Sequence, residues 1–343
     1  MRFCPGEALG EDQLDREPAL RSLLLHRSCA LTWVFLGLYH GLRSAGIVAR
    51  PESVLVTYFV FTALFDHPHI FQTFARTHAD RQEHARHRLT HTVGLAAFIL
   101  AGFVVAALGY LRQLIVVAAI WGSWHIIRQH WGFLRAYKAV NGDSARIDVL
   151  LDGALFYSGM IGFLLYDYAS ITGETPIYGS LRVTFPSIPP WIADVAWYAF
   201  LVVLALFVVR QLVLLRARAL NLPKLLFLAA ALGTHGLVFR ATSTPFLVAE
   251  SLETAYHNVQ YQGWIMHYQR RRFGGTRVVL RWLAMAFAYG LVVGTIEVIG
   301  LAEETLSWIF LPFFMIVLYH YYVDGKIWKL SKDPELRQAM FAR

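Results

Sequence analysis

Cysteine is nearly missing from this chain. Two of 343 residues, Cys4 and Cys29, leave no thiolate cluster and no disulfide framework. Charge is also scarce, at 16% of residues against about a quarter in a soluble domain. The first residues show no signal-peptide pattern, and no internal repeat, low-complexity tract, persuasive glycine-rich nucleotide loop or flavin motif follows. Such a composition excludes disorder, collagen and coiled coil. What is present is apolar: 57% hydrophobic residues, 15% aromatic ones and a mean hydropathy of +0.46. A net charge of +8 in so apolar a chain points to basic loops facing anionic lipid rather than to nucleic acid. Fourteen histidines, several inside apolar blocks, are the unusual feature.

A membrane-spanning helix needs about 20 mostly apolar residues. Ten segments qualify as candidates: Cys29 to Val48, Ser53 to Ala75, Thr92 to Leu111, Leu114 to Phe133, Ile147 to Tyr166, Trp191 to Leu215, Leu225 to Phe239, Phe246 to Met266, Trp282 to Ile299 and Leu306 to Val323. The first and seventh carry the weakest signal. Lys and Arg concentrate in alternate links, for example Arg76, Arg81, Arg86 and Arg88, then Arg270, Arg271, Arg272, Arg277 and Arg281. The positive-inside rule then puts both termini in the cytoplasm. The expected fold class is an all-α polytopic transmembrane bundle of about ten spans. Residues 1–28 form a cytoplasmic segment, 29–323 the helical domain with an external loop at 167–190, and 324–343 a cytoplasmic tail.

An ionisable side chain inside a membrane helix costs several kcal/mol without a partner, so each is a functional candidate. In FDHPHIFQT, Asp66, His69 and Thr73 share a helical face. Pro68 predicts a kink near Leu64 that aims His67 or His69 inward. In WGSWHIIRQHWGF, His125 and Gln129 share a face, while His130 lies about 140° away and is expected to support rather than bind. In AESLETAYHNVQYQGW, Glu250, Glu253, His257, Gln260 and Tyr261 form one stripe. In LYHYYVDGKIWK, Asp324 follows His320 by one turn and can bind metal beside it or accept its ring N–H. Each cluster has a bland alternative: capped histidines at a kink, an aromatic interfacial girdle, or a structural ion-pair network.

These four segments all run from outside to inside. His69, His125, His257 and His320 should therefore reach a similar depth toward the cytoplasmic face. His69, His125, His257, His320, Glu253, Asp66 and Asp324 are the expected metal ligands, and Glu253 and Tyr261 the expected catalytic groups. Gln129, His130 and Gln260 are expected to orient them. His40 and His235 read as satisfied core histidines. His84, His87 and His91, at helical i, i+3, i+7 spacing on a basic segment, read as a lipid-headgroup surface or, with His78 and His67, as further ligands.

Imidazole and carboxylate ligands suit iron, with manganese or zinc as alternatives and one or two ions possible. Histidines near the cytoplasmic ends of spans resemble the integral-membrane non-haem di-iron desaturases and hydroxylases. Here HARH stands at His84 and His87 and WHIIRQH at His125 and His130, and no HxxHH box occurs. Pro68–His69 and His320 with Asp324 are similar to elements of the bacterial Brp/Blh β-carotene-cleaving oxygenases. PHIFQT, WHIIRQHWG, HNVQY and HYYVDGKIWK are similar to segments of uncharacterised bacterial multispan proteins. The resemblance implies iron-dependent oxidation of a lipid or isoprenoid in the bacterial inner membrane, with electrons from an external donor. Two other readings stay open: a carrier of metal ions or protons through buried His and Glu residues, and a haem-binding electron carrier.

Overall fold

The computed structural model describes residues 29–46, 48–303 and 306–341. The expected cytoplasmic segment 1–28, with Cys4, lies outside the described residues. Twelve helices and one hairpin make up the described fold. In chain order these are α1 (Cys29–Ala45), α2 (Arg50–Ala79), α3 (Arg81–Arg86), α4 (Thr90–Ala107), α5 (Leu111–Val140) and α6 (Arg146–Ser170). The hairpin pairs β1 (Glu174–Tyr178) with β2 (Leu181–Thr184). There follow α7 (Pro190–Arg216), α8 (Leu222–Ala241), α9 (Phe246–Gln269), α10 (Thr276–Ala302), α11 (Ser307–Ile327) and α12 (Pro334–Phe341).

Seven helices, α2, α4, α6, α7, α8, α10 and α11, are long and apolar enough to cross a membrane. α7 shows why: Val195, Val202 and Val209 are each about 60% exposed along it. Such a band on a water-facing helix would be an aggregation surface, whereas acyl chains solvate it at no cost. The other three expected spans coincide with α1, α5 and α9. α1 has only 17 residues, while α5 and α9 are long enough but interrupted by polar side chains. α9 is shielded instead by its neighbours. It packs against α1, α2, α5, α8, α10 and α12, so its glutamates, histidine and amides are held inside the bundle.

α2 is wound irregularly. A π-helical turn covers Thr62–Asp66, just before Pro68, and a second covers Ala75–Ala79. Proline has no N–H to give the carbonyl one turn back, so the backbone widens there. Close approach by α10 fills the space. A Cβ on Gly290 would lie 2.2 Å from the Ala63 carbonyl oxygen and 2.7 Å from Pro68, and one on Gly294 would lie 3.1 Å from Ala63. Glycine spaced one turn apart lets the two backbones touch, as small residues do between membrane helices.

The hairpin sits inside the predicted external loop. Ile177 and Val183 are buried and pack with Val54, Tyr58, Leu247 and Val248 at one end of the bundle. At the other end charged groups pair inside the protein. Lys138 and Lys224 contact both Asp143 and Asp152, tying α5, α6 and α8 together. Arg76 meets Asp80, Glu83 and Asp333.

Candidate metal centre

Three features of local sequence bring imidazoles to one point. The widened turn before Pro68 rotates His69 inward from α2. The regular α5 presents His125, and α9 presents His257 on the stripe that faces both. Ligand nitrogens of His69, His125 and His257 lie within 4.8 Å of one another, and all three residues are buried. His320 of α11 closes the cluster, with its ring centre 4.5 Å from that of His69 and 4.8 Å from that of His125.

Both ring nitrogens of His69 and of His257, and Nε2 of His125 and of His320, have no hydrogen-bond partner among the described residues. A buried polar atom left this way costs about 1–3 kcal/mol. Native interiors tolerate few such atoms, and here they share one small volume. Nitrogens bound to a common first-row cation stand roughly 3–4 Å apart, given bonds of about 2.1 Å. At up to 4.8 Å the triad is slightly more open than that. The chemistry of the donor set fits a borderline divalent cation.

The surrounding side chains position the fourth histidine. Nδ1 of His320 lies 2.6 Å from Oγ1 of Thr73, which is 3.3 Å from the Tyr261 hydroxyl. The Trp328 indole donates to Tyr261 at 3.2 Å and to Asp324 at 2.8 Å. Tyr261 also presents its ring edge-on to His69, with centres 4.7 Å apart. Thr73 thus does for His320 what was expected of Asp324. The Asp324 carboxylate accepts from the Trp328 indole, one turn along, and it is Thr73 rather than Asp324 that meets Nδ1 of His320.

Other expected site residues fall elsewhere. Asp66 accepts a hydrogen bond from Asn258 at 3.2 Å and stays outside the imidazole cluster. His67 lies 2.9 Å from Glu297 by Nε2 and so is paired away from the imidazole cluster. Glu253 is one turn before His257 on α9 and lies 3.4 Å from His235, not beside the triad. Gln129 makes no hydrogen bond through either amide atom, so it orients nothing. His130 lies on the far side of His257, with its ring centre 5.6 Å from that of His257 and 6.4 Å from that of His235 on α8, and Gln260 lies against it. His40 is exposed rather than a core residue.

His78, His84, His87 and His91 form a second group. α3 ends at Arg86 and the chain leaves helical geometry at His87, so the three later histidines do not share a helical face. The fold nonetheless stacks His78, His84 and His91 with ring centres 5.4–6.1 Å apart. Their nitrogens are engaged: His78 with Thr77 and the His91 carbonyl, His84 with the Thr77 carbonyl, His91 with Tyr319 and Glu83. Next to them Asp80 accepts from Arg76, Tyr268 and Arg272. Burial alone would raise the Asp80 carboxyl. The Arg272 and Tyr268 hydrogen bonds and the two guanidinium charges outweigh it and hold the group down at about 2.

A cavity of about 190 Å³ opens between the imidazole cluster and the hairpin. Its wall is mostly apolar, but Asp66, Asp167, Glu250, Glu253 and Glu297 all reach it. Gly122, Ser123 and Ile126 line it beside His125, and Tyr321, stacked on His125 with centres 4.8 Å apart, separates the two compartments.

No family model, curated protein or solved structure matches the chain. The fold and the site thus define its class by themselves: a helical membrane protein with a buried histidine cluster at its centre.

Proposed function

We propose that the chain is an integral membrane metalloenzyme that uses iron to oxidise a lipid or isoprenoid substrate. The carrying observation is the convergence of His69, His125, His257 and His320 with six buried ring nitrogens left without a protein partner. A bound iron would supply an O₂-reactive centre for attack on a C–H or C=C bond, with electrons from a separate donor. His69, His125 and His257 hold the cation. Thr73 fixes the His320 ring so that its Nε2 faces the cluster. Tyr261, bonded to Thr73 and Trp328 and with its ring packed against His69, is a hydroxyl one hydrogen bond behind Thr73 that can hold or pass a proton. The apolar cavity beyond Tyr321 accepts the substrate chain, and the walls of α5 and α11 keep bulk water away. In this reading ten helices span the bacterial inner membrane, both termini are cytoplasmic, and the histidines lie toward the cytoplasmic side.

The five carboxylates of the cavity favour a second reading, in which cations or protons pass from the hairpin end to the histidines. Haem fits less well. His257 and His320 each stand about 5 Å from both His69 and His125, in the space a porphyrin plane would need. Purified protein should contain non-haem iron by metal analysis and Mössbauer spectroscopy, with no Soret band. In lipid nanodiscs with Fe(II), a chemical reductant and isoprenoid or acyl-lipid substrates, it should consume O₂ and form oxidised product. Metal-dependent ion flux in proteoliposomes without O₂ uptake would favour the carrier instead.

A further inference from the structure

A second set of metal-binding groups lies one helix turn from the first, on the side of α8. His130 of α5 and His235 of α8 are both 0% exposed, with ring centres 6.4 Å apart and planes at 78°. Among the described residues no well-aligned hydrogen bond reaches either ring, though Gln260 lies beside His130. Nε2 of His235 stands 3.4 Å from Oε1 of Glu253, which is itself 6% exposed and not otherwise hydrogen-bonded at that oxygen. The surroundings are aromatic: Phe227 and Tyr256 pack on His130, and Phe239 on His235. His257 stands between the two compartments. Its ring centre is 5.1 Å from His69 and 5.2 Å from His125 on one side and 5.6 Å from His130 on the other, and both its nitrogens are open.

A plain His235–Glu253 ion pair accounts for one contact only. It leaves Nδ1 of His235 unmet and only Gln260 alongside the His130 ring, in a place where each unmet polar atom is costly. Two imidazoles and a carboxylate arriving from three different helices are instead the donor set of a first-row divalent cation with open positions. Glu253 and His235 are already 3.4 Å apart, whereas the His130 ring centre stands 6.4 Å from that of His235, so His130 would have to move toward the other two on cation binding.

We propose that His130, His235 and Glu253 form a second divalent-cation site beside the central one, with His257 as the wall between them. The proposal rests on the metalloenzyme reading, which needs only the central site. It makes the protein dinuclear and gives Glu253 a ligand's role away from the triad.

Zinc(II), which is redox-silent, is the probe. Full-length protein in detergent is stripped with chelator, titrated with Zn(II), desalted and counted for metal. Wild type should bind two equivalents. His235→Gln and Glu253→Gln should each bind one, and His69→Ala should lose the central ion while keeping the second. One equivalent in wild type, lost in His69→Ala and unchanged in His235→Gln, overturns the second site and leaves the first standing. No zinc in wild type overturns both. Should the variants fail to fold, the wild-type stoichiometry still decides, since a single equivalent contradicts the proposal.

Discussion

Two histidine clusters in this protein use the same side chain to opposite ends. At the tail end of the bundle, His78, His84 and His91 stack beside Arg76, Asp80 and Glu83, and nearly every polar atom finds a partner in the protein. At its centre, His69, His125, His257 and His320 pack as closely, yet most of their nitrogens have no hydrogen-bond partner among the described residues. A satisfied network is structure. An unsatisfied one in a dry interior is tolerated only where something else completes it. Proximity of histidines is therefore a poor guide to a metal site, and the pairing of their nitrogens a better one.

The contrast is sharpest under substitution. His257→Ala should reduce cation affinity at the centre by at least about 100-fold, because it removes a ligand from the triad. Stability of the cation-free protein should hold or rise, since orphaned atoms leave the core; equilibrium dialysis beside thermal melts measures both. Asp80→Asn should do the reverse, lowering stability by about 2–3 kcal/mol through the loss of charged hydrogen bonds while cation content stays the same. The Asp80 carboxyl is depressed, so its stabilisation is complete above the ordinary value near 3.8 and fades as pH falls toward about 2. Acid titration of wild type against Asp80→Asn should show that difference shrinking over this window. A smaller effect is expected for Thr73→Val, about 10-fold in affinity, as His320 loses the group that sets its ring. Least of all, exposed His87→Ala should change stability by no more than about 0.5 kcal/mol and leave metal content alone. Metal loss in His87→Ala comparable to that in His257→Ala would erase the distinction between the two clusters.

Much of this was readable from residue order, for stated physical reasons. Long apolar runs announce helices, and the angular offset of His130 from His125 already separated it from the central group. The meeting of His69, His125, His257 and His320 was foreshadowed by the shared direction expected of their four helices. Contacts made by side chains from distant segments did not. Arg76 counts as a basic loop residue in the sequence, but it is buried in ion pairs, as is Lys224. Asp324 has the right spacing to serve His320, yet Trp328 has the same spacing from Asp324 and takes it. His235 looked isolated because its partners, His130 and Glu253, come from two other helices. A histidine late in an apolar helix with no polar neighbour at i±3 or i±4 was the available signal, since such a ring must be satisfied from elsewhere.

Iron K-edge X-ray absorption on the anaerobically loaded protein tests the central claim most directly. It should show a nitrogen-dominated first shell with the outer-shell scattering of several imidazoles, and the imidazole contribution should fall in His125→Ala and His257→Ala. A spectrum without imidazole scattering, or one that both substitutions leave unchanged, would contradict a cation held by these four helices.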